Sequence, residues 1–207
     1  MNQVLPVLND EQTEVRDAFV ERLLQSTAGV FDMFTLFIGG RLGLYQALSE
    51  SGPLTSAELA ERTETQERYV REWLEQQTVS GILEVENGEA GACERRFILP
   101  AGRAEVLVER ESLNYLAPLA QLVAGAVRPI EQLLDAFRHG GGVPYSAYGE
   151  DFLQGQSDIN RAAFLYELGF DWLPAVKNVN ERLQSDPPAR GQHAQSRRRK
   201  WGRDHRR

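Results

Sequence analysis

Cysteine and lysine are almost missing from this 207-residue chain, which has one cysteine, Cys93, and two lysines, Lys177 and Lys200. A single cysteine excludes an internal disulfide framework and a cysteine-cluster zinc site, and it fits a reducing compartment. Histidine is nearly as scarce. Only His139 precedes residue 190, and neither it nor Cys93 has a partner at metal-ligand spacing. No serine elbow, P-loop or paired-histidine motif occurs. The only glycine run, Gly140 to Gly142, follows a helical pattern and precedes Val143-Pro144. That order is the reverse of a phosphate cradle. The residues therefore nominate no catalytic, cofactor-binding or metal-binding position. The N-terminus shows no basic-then-apolar leader, so a cytoplasmic location is expected.

What is present divides sharply by charge. Residues 187–207 carry eight cations and one acid, whereas the preceding 186 residues hold 15 cations and 29 acids. Arg-rich text with Trp201 as its only large apolar residue has three readings. It fits sequence read out of frame from a GC-rich gene, then a solvated native tail, then a nucleic-acid arm. The expected state of residues 187–207 is disordered or out of frame.

The body reads as mainly α. Asn9, three residues before Gln12, can cap a helix with Val15, Phe19 and Leu23 on one stripe. Gly29 to Leu48 is apolar apart from Asp32 and Arg41. Its length suits a membrane span, but those two charges and the Gly39-Gly40 pair favour a helix buried on several sides, in a core or between subunits. Thr55 and Glu58 are spaced as a capping box for a helix over 56–62. A second helix over 67–80 would bury Val70, Trp73, Leu74 and Gln77, with Gly81 as its left-handed stop. Strand-like runs at 82–85 and 96–99 flank a hairpin loop. Helix, helix-turn-helix and hairpin in that order make a winged helix. Residues 113–138 show helical spacing with Pro129 as a kink, and a last helix is expected from Gln156 through Trp172 to Pro174.

The second helix of the helix-turn-helix carries Glu67, Arg68, Arg71, Glu72 and Glu75. Duplex binding depends on neutralising phosphates. Arg68 and Arg71 are the candidate DNA contacts if this is a small winged-helix regulator, and the neighbouring acids argue against that reading. His139 fits a helix C-terminus, and Cys93 reads as incidental.

The stretch IGGRLGLYQALSESGPLTSAELAERTETQERYVREWLEQQTVSGILE, with the later FRHGGGVPYSAYGEDF and LGFDWLPAVKNVNERL, resembles bacterial class I S-adenosylmethionine-dependent methyltransferases carrying an N-terminal winged helix. The resemblance covers about residues 30 to 186. It implies that the winged helix serves dimerisation and shapes a substrate pocket, and that Tyr145, Tyr148, Phe152 and Trp172 lie near the pocket or its lid. The alternative for these four is simple packing of the linker. The resemblance also implies S-adenosylmethionine as the family cofactor. After DPPAR the glycine-rich turn that would hold it has no counterpart in GQHAQSRRRKWGRDHRR, and one βαβ unit needs about 30 residues.

The expected organisation is an N-terminal helical arm at 1–27, a winged helix at 28–100, a helical linker or lid at 101–186 and the Arg-rich tail at 187–207. The expected function is the winged-helix and dimerisation portion of a methyltransferase-like protein, truncated before the cofactor domain and inactive alone. A module pairing with a full-length homologue is the other reading. A homodimer through residues 29–48 and the helical region is expected. No membrane association is expected, and nucleic acid only through the tail.

Overall fold

The computed structural model describes residues 7–185, so the Arg-rich tail lies outside the described residues. Asn9 caps α1 (Asp10–Arg41) reciprocally. Its side chain accepts from the Gln12 N–H at 2.8 Å, and its own N–H donates to Gln12 Oε1 at 3.1 Å. α1 then runs unbroken for 32 residues, through the boundary expected between residues 27 and 28. It stops at Leu42, and Gly43 takes a φ of +70°, a conformation that glycine enters without a side-chain penalty. α2 (Leu44–Ser51) follows.

The apolar segment 29–48 is therefore two helices, in different surroundings within the chain. Leu44, Tyr45 and Leu48 belong to the core, while Val30, Phe31, Ile38 and Leu42 stay exposed. By length and composition α1 could cross a membrane. Its C-terminal third is nevertheless fastened to protein. Trp73 Nε1 donates to the Thr35 carbonyl at 2.9 Å, Gln77 Nε2 donates to Thr35 Oγ1 at 3.0 Å, and Ser80 Oγ donates to Asp32 at 2.7 Å.

The helix-turn-helix forms as its spacing dictates. Thr55 and Glu58 cap α3 (Ser56–Arg62) in both directions, and α4 (Glu67–Val79) buries Val70, Trp73, Leu74 and Gln77. Gly81 ends it with a φ of +70°. The wing is shorter than expected. β1 (Glu84–Val85) pairs antiparallel with β2 (Phe97–Ile98), Glu84 opposite Ile98 and Val85 opposite Phe97. Ile82 and Leu83 cannot extend β1, because both their N–H groups bond to the Gln77 carbonyl at the end of α4. Leu54 adds a third rung: its N–H donates to the Phe97 carbonyl at 3.0 Å, and the Phe97 N–H returns a bond at 2.8 Å. Leu59, Leu74, Leu83 and Phe97 close the core, each almost wholly buried. Burying such side chains contributes roughly 1.5–3 kcal/mol apiece.

α5 (Ala101–Leu107) leads into a connection fastened by Glu105, whose carboxylate accepts from Ser112 Oγ at 2.7 Å and Asn114 Nδ2 at 2.9 Å. The single kinked helix expected over 113–138 is two helices, α6 (Pro118–Ala126) and α7 (Ile130–His139). Pro129 lacks an N–H and stands as the N-cap of α7, so it separates the helices where a kink was expected. Gly140, Gly141 and Gly142 all take positive φ and end α7. A 3-10 turn at Tyr145–Tyr148 precedes α8 (Gly149–Tyr166). The last expected helix thus starts earlier and ends sooner than its spacing suggested.

Residues 160–185 group as a second unit. It contains the end of α8, a π-helical turn at Leu168–Trp172, α9 (Leu173–Ala175) and α10 (Lys177–Ser185). Within it, Trp172 meets Phe164 edge-on with ring centroids 5.6 Å apart.

Candidate functional site

α4 occupies the position from which a winged helix would read DNA, so its outward side chains decide whether it can. Arg68 Nη2 lies 3.1 Å from Glu72, one turn further along the same helix. Arg71 Nε lies 3.5 Å from Glu67, and its Nη1 donates to Cys93 Sγ at 3.1 Å. From the wing, Arg95 Nη1 reaches Glu75 at 2.7 Å. Both sequence-nominated arginines are engaged within the domain, beside carboxylates that would repel a phosphate backbone. Cys93 is exposed and sits against a cation. Among the described residues, no group of three or more His, Cys, Asp or Glu side chains could hold a metal ion.

Of the four nominated aromatic residues, three come together. Tyr148 and Phe152 rings lie 4.8 Å apart, and Tyr145 meets them at 6.3 and 6.0 Å. Such pairs add about 0.5–1.5 kcal/mol each beyond area burial. The cluster stands over α6 because Gly125 lets α8 approach: a β-carbon there would come within 2.8 Å of the Phe152 backbone nitrogen. Trp172 belongs to the second unit and packs on Phe164.

One side of α1 presents an uncovered apolar face among the described residues. From Asp10 to Phe31 every residue except Thr13 is exposed. Val15, Phe19 and Leu23 form one row at i, i+4 spacing, with Val20, Leu24 and Phe31 beside it. α7 repeats the theme: Ile130, Leu133, Leu134 and Phe137 share one face and are all exposed. The apolar periodicity of both helices was readable in the sequence; that these faces stay exposed among the described residues was not.

The end of α1 is held by a buried polar relay. The Tyr45 hydroxyl donates to Gln77 Oε1, whose amide nitrogen in turn donates to Thr35. Burial, with a smaller contribution from Asp32, pushes the Tyr45 phenol far above its usual value, so it remains a proton donor.

Comparison with known proteins places these features. Residues 32–109 match the model of the Rv2258c-like winged HTH domain, and that segment folds as a winged helix-turn-helix. Among solved structures, the chain is similar to the mitomycin 7-O-methyltransferase MmcR, with a TM-score of 0.56 and 21% identity over 76% of this chain and 48% of that one. The human N-acetylserotonin methyltransferase gives a TM-score of 0.47 at 21% identity over 74% of this chain and 50% of that one. The methyltransferase SibL gives 0.48 at 20%, over 74% and 48%. The chain spans about half the length of these structures. The likeness to MmcR is one of fold. No curated protein matches the sequence.

Proposed function

We propose that this chain is the winged-helix and dimerisation portion of a methyltransferase-like protein, cytoplasmic and homodimeric, and that the 207 residues alone neither bind S-adenosylmethionine nor transfer methyl groups. The observation that carries the reading is α1. Its 32 residues span about 48 Å, and with 21 of the 22 residues from Asp10 to Phe31 exposed, that part of the helix has little tertiary support among the described residues. A second copy laid along the Val15–Phe19–Leu23 row would bury it. Each Å² of apolar surface covered contributes about 25 cal/mol before association costs. The internally paired arginines of α4 support a structural role for the winged helix over a DNA-reading one. No glycine-rich turn in this sequence matches the family's cofactor motif, which supports the absence of cofactor binding by these residues.

Light scattering on the purified chain tests the assembly, with a dimer expected and a monomer expected for Phe19→Glu combined with Leu23→Glu. Calorimetry with S-adenosylmethionine tests the remainder. Micromolar binding by the chain alone would overturn that half of the reading, and a wild-type monomer would overturn the other.

A further inference from the structure

A cleft of about 460 Å³ opens between the C-terminal end of α1, the start of α2, the loop before α6, and α8. Its volume is in the range that holds a small organic ligand. Two guanidinium groups line it, Arg41 and Arg110, although the first 186 residues are strongly acidic as a whole. Arg110 Nη2 donates to Asp158 Oδ2 at 3.1 Å, and Gln154 Nε2 donates to the other Asp158 oxygen at 2.9 Å. Asp158 is 12% exposed and so fixes Arg110 from below. Arginine has five N–H donors, and the bond to Asp158 occupies one of them.

Arg41 is held more loosely. Its contact with Asp151 is 3.5 Å long with the arginine side chain 59% exposed, a pair of the kind worth about 0–1 kcal/mol. Its guanidinium carbon lies 6.0 Å from the centre of the Phe37 ring. Phe37 and Tyr115 supply aromatic wall, and Gly40, with nothing within 4 Å of where a β-carbon would stand, leaves space beside the helix end. α2, whose first residues border the cleft, has no side-chain cap and no acid in its first turn; the acid that lines the cleft is Asp158, held by Arg110 and Gln154.

We infer that this cleft binds a small organic carboxylate with a planar, partly apolar body. A carboxylate matches the fork of a guanidinium better than a spherical anion does. The aromatic wall favours a flat body over an aliphatic one. Burial holds the Tyr115 phenol above its usual value, with Arg110 opposing and Asp158 reinforcing that shift. Tyr115 lines the cleft, and a phenol can donate to an oxygen. Every residue lining the cleft belongs to this chain, so binding there requires neither a second copy nor S-adenosylmethionine.

Benzoate serves as the probe, with benzamide lacking the charge, acetate lacking the ring, and inorganic phosphate as the non-carboxylate anion. Nitrogen-15 NMR titration of the full chain should show saturable shifts at the Gly39 and Gly40 amides and the Arg41 and Arg110 Nε groups, with a Kd at or below about 1 mM. Benzamide, acetate and phosphate should each bind about tenfold more weakly or worse. Arg110→Gln should lose the binding but also unpairs Asp158, so Arg41→Gln, at an exposed position, is the decisive variant and should weaken benzoate about tenfold. Arg62→Gln, outside the cleft, should leave it unchanged. The inference fails if benzoate gives no saturable shift, if benzamide binds as well as benzoate, if phosphate binds better, or if Arg41→Gln binds benzoate as the wild type does.

Discussion

Gly39 of α1 lies flat against the ring of Trp73 on α4, with no room between them for a β-carbon. A methyl group at Gly39 would also come within 2.6 Å of Tyr45, whose ring meets Trp73 edge-on at 5.0 Å. This three-way contact sets how closely α1 packs on the helix-turn-helix. Gly39→Ala should therefore destabilise the fold although alanine favours helix. Overpacking of this kind costs about 1–3 kcal/mol, which outweighs the roughly 1 kcal/mol helix-propensity gain at the upper end of that range. The check is a urea melt in which Gly40→Ala, one residue on with nothing within 4 Å, serves as the control. Gly40→Ala should be neutral or stabilising, and equal effects at both positions would refute the packing argument.

The relay from Tyr45 to Gln77 to Thr35 predicts strong non-additivity. Gln77 is fully buried, so Tyr45→Phe strands its amide oxygen and Gln77→Met strands the phenol. Each single change should cost about 1–3 kcal/mol. Removing both partners together should cost less than the sum, with a coupling of at least about 0.5 kcal/mol. A double-mutant cycle on chemical denaturation midpoints measures this directly, and simple additivity would mean the two groups do not depend on each other.

Much of the winged helix was readable before any coordinates, because it rests on local rules. The capping boxes at Asn9 and Thr55, the buried row Val70–Trp73–Leu74–Gln77 and the stop at Gly81 follow from spacing within one or two turns. The errors fell where tertiary partners decide. Periodicity could not say that Pro129 separates α6 from α7, nor that the Gln77 carbonyl captures Ile82 and Leu83 and shortens the wing. Tyr145, Tyr148 and Phe152, nominated by resemblance as pocket or lid residues, pack on one another, and Trp172 packs on Phe164. Arg110 and Asp158 carried no sequence signal, because 48 residues separate them and each alone looks like ordinary surface charge.

Glu58 gives the fold a defined acid sensitivity. Its carboxyl lies below the usual range, first because it accepts the Thr55 backbone N–H, with Arg96 adding to the effect. A folded-state pKa below the unfolded one means that stability is present above the unfolded value and lost as pH falls through the folded value. The ordinary glutamate value is about 4.5, so the loss should begin near there and continue below it. Wild type should be more stable than Glu58→Gln at pH 7, and the gap should narrow as the pH falls below 4.5. Thr55→Ala removes the reciprocal bond and should cost about 1 kcal/mol. A gap that stayed constant with pH would show that the charge on Glu58 is not what stabilises the cap.

The pairing on α4 leads to an expectation about nucleic acid. Arg68 and Arg71 already face Glu72 and Glu67, so contacting phosphate would require exchanging those partners while Glu75 and its neighbours repel the same strand. A chain ending at residue 186 should therefore show no sequence-specific binding to duplex DNA at physiological salt. Any binding by the full chain should arise from the cations after Pro188, and its affinity should fall steeply with salt, the slope being about 0.9 per phosphate neutralised. Fluorescence anisotropy across a salt series separates the cases. Binding that survives removal of the tail, and that Arg71→Gln abolishes, would make α4 a DNA-reading helix and count against the proposal that the winged helix serves dimerisation.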